Sequence, residues 1–283
     1  MGNRDKCGYT ILEVLIFIAV SSLMFVIAIT AIGGRQQQVQ FSQSTREVDA
    51  KLRDIINDVT TGYYPTNSTV SCEVIAGEVQ IVASTNQEIG TNSNCIYIGK
   101  ALQFSPDGKS DVIRIYNLAG KRYADNSQNP TLSINDAQPK AVALPDDSNF
   151  ERSYEDYPIP YGLEITKVIV PISASINKLY GVIAIVNNFG DTTVSDGQTV
   201  QVGGIVGTSL GDSESTAVDL INQLTETSLF DPPQNGFFDK SETEGLTICL
   251  KSPDDKQASI TLGKNGSGTT ELLLDKYVKG CDI

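Results

Sequence analysis

Tyr9-Thr10-Ile11-Leu12-Glu13 leads directly into residues 14–32, VLIFIAVSSLMFVIAITAI, a run without a single charged residue. Gly33 and Gly34 extend the run and Arg35 ends it. At about 1.5 Å per helical residue, a run of this length crosses a hydrocarbon core of about 30 Å. It is too long for an ordinary secretory signal core, and no small-x-small cleavage site follows it. Toward the start, residues 1–8 read MGNRDKCG, short and polar, with Arg4 and Lys6. Such a basic tail stays in the cytoplasm and sends the rest outward, although Arg35 and Arg46 flank the far end too. One residue does not suit a plain anchor. Glu13 stands at the edge of the apolar run, where a carboxylate is costly unless it is compensated or snorkels to the interface.

Gly8-Tyr9-Thr10-Ile11-Leu12-Glu13 resembles the class III signal peptide of type IV prepilins and type II secretion pseudopilins. Four features coincide: a basic leader, Gly at the cut site, Glu four residues after the new first residue, and an apolar helix beyond. The resemblance implies that a membrane aspartyl enzyme, the prepilin peptidase, cuts between Gly8 and Tyr9 and methylates the new amine. Most relatives have Phe where this chain has Tyr9. The implied product is a structural subunit of a type IV pilus-like filament, a minor pilin or pseudopilin. Its partners would be other pilin subunits and the inner-membrane assembly platform, with residues 9–34 in the membrane. No cofactor and no catalysis are implied. The expected location is a single pass through the plasma membrane with the head outside, and after assembly the pilus or cell surface.

The physics of Glu13 then becomes specific. A free amine at Tyr9 and a carboxylate at Glu13 are each expensive in or near lipid. If the amine of one subunit meets Glu13 of a neighbour, two desolvation costs fall together and the axial register of the helices is fixed. Cleavage would thereby license assembly. Family members commonly carry a helix breaker inside the membrane helix, and Thr30 stands where many have Pro. Gly33 and Gly34 are the breakers here, so melting or a kink is expected at that point.

Beyond the membrane, Val48, Leu52, Ile55, Ile56 and Val59 recur on one helical face, which Phe41 extends one heptad earlier. Arg46, Lys51, Arg53, Asp54 and Asp58 take the other side, and the pattern ends at Thr60-Thr61-Gly62. The resemblance to pilins ends near there as well. Strand signals follow at 70–75, 78–83, 95–98, 101–104, 112–116, 163–171, 179–186, 246–250, 257–262 and 271–274. Ser105-Pro106-Asp107-Gly108 reads as a turn and Asn265-Gly266-Ser267-Gly268 as a hairpin link. Ala217, Leu220, Ile221 and Leu224 predict one helix behind the caps Asp212 and Ser213. The polar stretch 124–160 is either a linker between two β lobes or a long decorated loop. The expected fold class is α+β. Residues 1–8 form a leader, 9–34 a transmembrane helix, 35–61 an amphipathic helix, and 62–283 a mainly antiparallel β head of one lobe or two.

The 34 acidic residues against 21 basic ones make nucleic-acid binding by the head as a whole unfavourable. The chain has no His, which removes the usual general base and any Ser-His-Asp or Cys-His site. Ser-Lys and Asp-Asp sites stay open, with nothing pointing to one. Five Cys are awkward for an exported protein, and loss of Cys7 with the leader leaves Cys72, Cys95, Cys249 and Cys281. Cys7 is no lipid-anchor site by pattern, since the apolar run lies after it. Outside the cytoplasm four Cys favour two disulfides, and three connectivities are open. Sequential pairing, Cys72–Cys95 and Cys249–Cys281, closes two moderate loops, and the resemblance implies a C-terminal region fastened in this way. Buried thiols are the alternative. Asp107-Gly108-Lys109-Ser110-Asp111 and Asp191 … Asp196-Gly197 have calcium-loop residues without the ligand spacing. Gly203-Gly204-Ile205-Val206-Gly207 lacks a phosphate-loop Lys and reads as a tightly packed strand or bulge. Two other function classes compete with the filament subunit: a non-polymerising membrane-tethered adhesin or ligand-binding ectodomain, and a tethered hydrolase, which the missing His disfavours.

Overall fold

The computed structural model describes residues 10–62, 70–75, 78–83, 95–124, 129–142, 154–173, 176–187, 200–226, 235–240, 245–264, 269–274 and 281. The fold is α+β, and the chain divides into two compact units, Met1–Gln43 and Ser44–Ile283. Helix α1 runs Ile11–Thr61. Its first turns are apolar on every side, with Phe17, Leu23, Met24 and Phe25 all exposed. A helix with no polar face needs lipid or other helices around it. The 19 residues of Ile11–Ile29, at about 1.5 Å each, cover about 28 Å, long and apolar enough to cross a membrane. The Ser22 hydroxyl donates to the Ile18 carbonyl at 2.7 Å, so it is satisfied inside the helix.

The break expected at Gly33-Gly34 is corrected by the structure, where α1 continues through both residues. A propensity loss of about 1 kcal/mol per Gly is small beside the cooperative hydrogen bonding that runs in from both sides.

In the second unit, residues 44–61 of α1 bury the face predicted for them. Val48, Leu52, Ile55, Ile56 and Val59 are all nearly inaccessible. Polar contacts fix the same turns to the rest of the head. The Ser44 hydroxyl donates to the Pro160 carbonyl at 2.7 Å, and the Thr270 hydroxyl donates to Asp49 at 2.5 Å. Lys51 pairs with Glu155 at 3.1 Å and lies 5.6 Å from the centre of the Tyr157 ring. Asp58 receives the buried Lys100 ammonium at 2.6 Å.

Two sheets make up most of the head. The larger holds β3 (Cys95–Phe104), β4 (Val112–Lys121), β5 (Lys140–Val142), β6 (Tyr154–Pro158), β9 (Val182–Asn187), β10 (Val200–Ile205), β11 (Thr225–Glu226) and β12 (Phe237–Lys240). Its order is β11-β12-β10-β9-β3-β4-β5, and β6 also pairs with β4. The second sheet has the order β15-β14-β13-β7-β8, from β7 (Glu164–Ser173), β8 (Ile176–Leu179), β13 (Leu246–Lys251), β14 (Gln257–Leu262) and β15 (Thr270–Leu274). A separate antiparallel pair joins β1 (Val70–Ile75) to β2 (Glu78–Ala83). The chain enters the second sheet at β7, returns to the first at β9 and leaves it again at β13, so each sheet draws on more than one stretch of chain. Within 124–160, β5 and β6 share the outer edge of β4. Its strands β5 and β6 thus belong to the larger sheet.

The larger sheet is covered on both faces, which explains its almost uninterrupted burial. Lys100 points to α1, while its neighbour Ala101 belongs to a core with Tyr116, Leu118, Val182 and Ala184. That core is closed by α2 (Ile134–Ala137) and α3 (Glu214–Ile221) through Ile134, Ala217, Leu220 and Ile221. Ser213 caps α3, as its spacing predicts, by accepting from the Thr216 amide. Several strands differ from expectation, β4 among them, which runs on from the expected 112–116 to Lys121. The runs 95–98 and 101–104 form one strand with a register shift between Tyr97 and Gly99, because a bulge absorbs the irregular residue. The run 179–186 is split at Tyr180-Gly181, whose backbone turns aside to bond Val168 and Phe104. Strands β11 and β12 lack the alternation that would have announced them. Gly204 bears out the tight-strand reading, since a Cβ there would come within 2.5 Å of the Tyr180 ring. The hairpin expected at 265–268 lies outside the described residues.

Candidate functional site

The start of α1 is set by Thr10, which is not helical itself. Its carbonyl accepts from the Glu13 and Val14 amides at 3.0 and 3.2 Å, and its Oγ1 accepts from the Glu13 amide at 3.3 Å. Thr10 is thus the N-cap, and Glu13 is the third helical residue. Thr-x-x-Glu is the order of a capping box. The sequence signal for this cap is Thr three residues before Glu at the head of an apolar run. A carboxylate in the first turn also meets the positive end of the helix dipole.

Glu13 is exposed, in the same turns as the exposed Leu12, Val14 and Phe17. Among the described residues its carboxylate has no ion-pair or hydrogen-bond partner. Gly8 and Tyr9, the expected processing pair, lie outside the described residues.

A second polar constellation sits inside the head. Arg114, on β4, is only 3% exposed. Its Nε and Nη2 donate to the two oxygens of Asp156 at 2.7 and 3.2 Å, and Nη1 donates to Asp107 at 3.1 Å. The guanidinium lies 3.9 Å from the centre of the Tyr154 ring. Burial works against its charge, but the hydrogen bonds and charge of Asp156 outweigh that and raise its pKa. Nearby, Tyr116 donates to Gln103 Oε1 at 2.7 Å, and Gln103 donates to the Asp212 carbonyl at 2.7 Å. Burial also pushes the Tyr116 hydroxyl above its ordinary range, with the Arg114 charge pulling the other way. The chemistry of this group is that of a clasp. It ties β6 and the Pro106–Gly108 turn to β4, and every strong donor is already used. Asp107, a residue of the first calcium-like loop, is committed to Arg114. The loop 191–197 lies outside the described residues.

No protein-family model, curated protein or solved structure matches this chain. The arrangement is therefore read from its own residues.

The cysteines complete the picture. Cys249 of β13 is bonded to Cys281, with Cα atoms 5.6 Å apart. Both are buried and pack with Ile169 of β7, so Cys281 is fastened to the second sheet. Cys95 is disulfide-bonded too. The backbone places Cys72 on β1, and the expected Cys72–Cys95 pairing falls on a side chain outside the described ones. The larger sheet shows why Arg114 escapes a sequence reading. In Val112-Ile113-Arg114-Ile115-Tyr116 the Arg sits where alternation allows a solvent face, but Tyr154 and Asp156 of β6 and Asp107 of the turn cover it.

Proposed function

We propose that this chain is a minor structural subunit of a type IV pilus-like filament, cut after Gly8 and assembled through its N-terminal helix. In assembly, Glu13 of one copy meets the freed Tyr9 amine of a neighbour. The peptidase, the assembly platform and other pilin subunits are its partners, and the head stands outside the plasma membrane. The observation that carries this reading is the start of α1: a helix apolar on every side bears one exposed carboxylate that nothing described within the chain neutralises. A plain anchor gains only a small helix-dipole term from that charge, whereas an assembling helix gains register from it. The size of the head favours a low-copy position, since a bulky head crowds a dense helical array.

The test is the mature N-terminus followed by a charge-only change. Mass spectrometry of the protein from its native host should give a chain beginning at N-methylated Tyr9. Glu13→Gln keeps a residue that serves at the third position of a capping box and removes the charge. It should still be cut and inserted, yet be lost from filaments. An intact Met1 would instead favour a non-polymerising tethered ectodomain.

A further inference from the structure

We propose that Lys100 and Asn117 become joined by an isopeptide bond that the folded head makes for itself, with Asp58 as the catalytic base. Lys100 on β3 and Asn117 on β4 are direct cross-strand partners, so their side chains share the sheet face that meets α1. Opposite residues of an antiparallel pair have Cβ atoms about 4.5–5.5 Å apart, a gap that the four-carbon arm of Lys spans. Asp58 of α1 stands at the head of that arm, with its Oδ2 2.6 Å from the Lys100 Nζ.

Asn117 is what a plain ion pair leaves unexplained. It is 4% exposed, and its Oδ1 is buried with no hydrogen-bond partner among the described residues. Asn is disfavoured in strands, and a buried amide oxygen left unpaired costs free energy. As a structural residue it is therefore inferior to Leu or Val at the same place. As the acyl group for a neighbouring amine it is well placed. Ile185 and Val142 flank the pair across the sheet, and Leu102 and Ile115 form the next pair along it on the same face. All four are buried, so bulk water is kept from the reacting atoms. The Asp58 side chain keeps 31% of its exposure, which gives a small leaving group a path to solvent.

The step is a transamidation. Asp58 takes a proton from Nζ, the freed lone pair attacks Asn117 Cγ, and the Cγ–Nδ2 bond breaks as the Nζ–Cγ bond forms. Of the three protons on the Lys100 ammonium one stays in the new amide, and two leave with Nδ2 as ammonium. Asp58 ends as the carboxylate it began as, and nothing is oxidised or reduced. Because the fold holds amine, amide and base side by side, the attack is intramolecular, which supplies the activation that an amide otherwise lacks. The product links β3 to β4 beneath α1 by a bond that no reductant opens, unlike the Cys249–Cys281 link.

The experiment uses the full chain, made by cell-free synthesis into detergent micelles under oxidising conditions. Its intact mass after reduction is followed over time, and the end product is digested for tandem mass spectrometry. The wild type should become lighter by one ammonia. Its digest should hold a linked pair of peptides joining Lys100 to Asn117, with trypsin no longer cutting after Lys100. Chain synthesised and then held in urea should keep its full mass, as should Lys100→Met and Asn117→Leu. Asp58→Asn keeps both joined residues and should react about 100-fold more slowly, and Asp58→Glu should be faster than Asp58→Asn. A wild type that is folded by circular dichroism and stays at full mass overturns the proposal. Loss of ammonia without linked peptides overturns it too, since an Asn that cyclises onto its own backbone gives the same mass. Linkage at the wild-type rate in Asp58→Asn would remove Asp58 from the reaction.

Discussion

Removing the Cys249–Cys281 cross-link gives the sharpest quantitative test of how the head is held. The two residues are 32 positions apart in sequence, and β14 and β15 lie between them. On the chain-entropy relation, closing a loop of that length removes about 12 cal/mol/K from the unfolded chain, or about 3.7 kcal/mol at 25 °C. Cys281→Ala opens the loop and leaves the Cys249 sulfur in place beside Ile169. The small void left at residue 281 adds about 1 kcal/mol at most. The expected loss is therefore about 4 kcal/mol, which for a unit of this size lowers the melting midpoint by roughly 8–16 °C. The chain has no Trp but 11 Tyr, so urea unfolding of the full chain in detergent is best followed by tyrosine fluorescence and far-ultraviolet circular dichroism together. Equal slopes with a shifted midpoint would locate the effect in stability. A loss below about 1 kcal/mol would refute the reasoning, because it would mean that the unfolded chain gains little freedom from an open loop.

Three further outcomes follow from the packing. Arg114→Met should cost about 2 kcal/mol, less than a fully buried pair because Asp107 and Asp156 are 43% and 39% exposed and can rehydrate. A double-mutant cycle with Asp156→Asn should show coupling above about 1 kcal/mol, and additive effects would reject the clasp. Gly204→Ala should cost about 1–3 kcal/mol through overpacking against Tyr180, and Tyr180→Leu should recover part of it. Tyr116 has a folded pKa raised by burial, so its contribution to stability is present below the unfolded value of about 10 and falls as pH rises from there toward the folded value. Tyr116→Phe should flatten the alkaline decline of stability measured by urea titration above pH about 10, and an unchanged slope would exclude Tyr116 as its source.

Legibility in the sequence followed the range of the interactions. Both halves of α1 could be read directly, because an uncharged run and a 3.6-residue period are one-dimensional signals that no distant partner has to confirm. The same holds for β1, β2 and β14, whose bounds match the alternation, and for Ser213, whose cap acts three residues away. The order of the sheets could not be read. Whether β9 lies beside β3 or beside β7 depends on contacts such as Gly99 with Val186, far apart in sequence, and the chain moves between the sheets three times. The division of 179–186 had the same origin, since the Tyr180 amide is drawn off to the Val168 carbonyl by a neighbouring strand.

The contrast between Arg114 and Glu13 shows how a charged residue in an apolar setting is to be read. Each interrupts a run of hydrophobic residues, and each would be costly if left alone. Arg114 is answered within the chain, by two carboxylates and an aromatic face, and the sum of those contacts exceeds the cost of burying it. Its purpose is fulfilled when the head folds, so its loss should appear in stability. Among the described residues Glu13 receives only a backbone cap on its amide, and it is exposed on turns that are apolar on every side. For its own folding the chain gains little from a charge there beyond the helix-dipole term of under about 1 kcal/mol, since Gln would complete the same capping box. On the proposed filament reading, a cation delivered by a second copy at the same depth would compensate the carboxylate and fix register. On that reading the two residues should differ in readout as well as in place: changes at Arg114 should shift the unfolding curve of the isolated subunit, and Glu13→Gln should move that curve by less than about 1 kcal/mol and act mainly when copies meet.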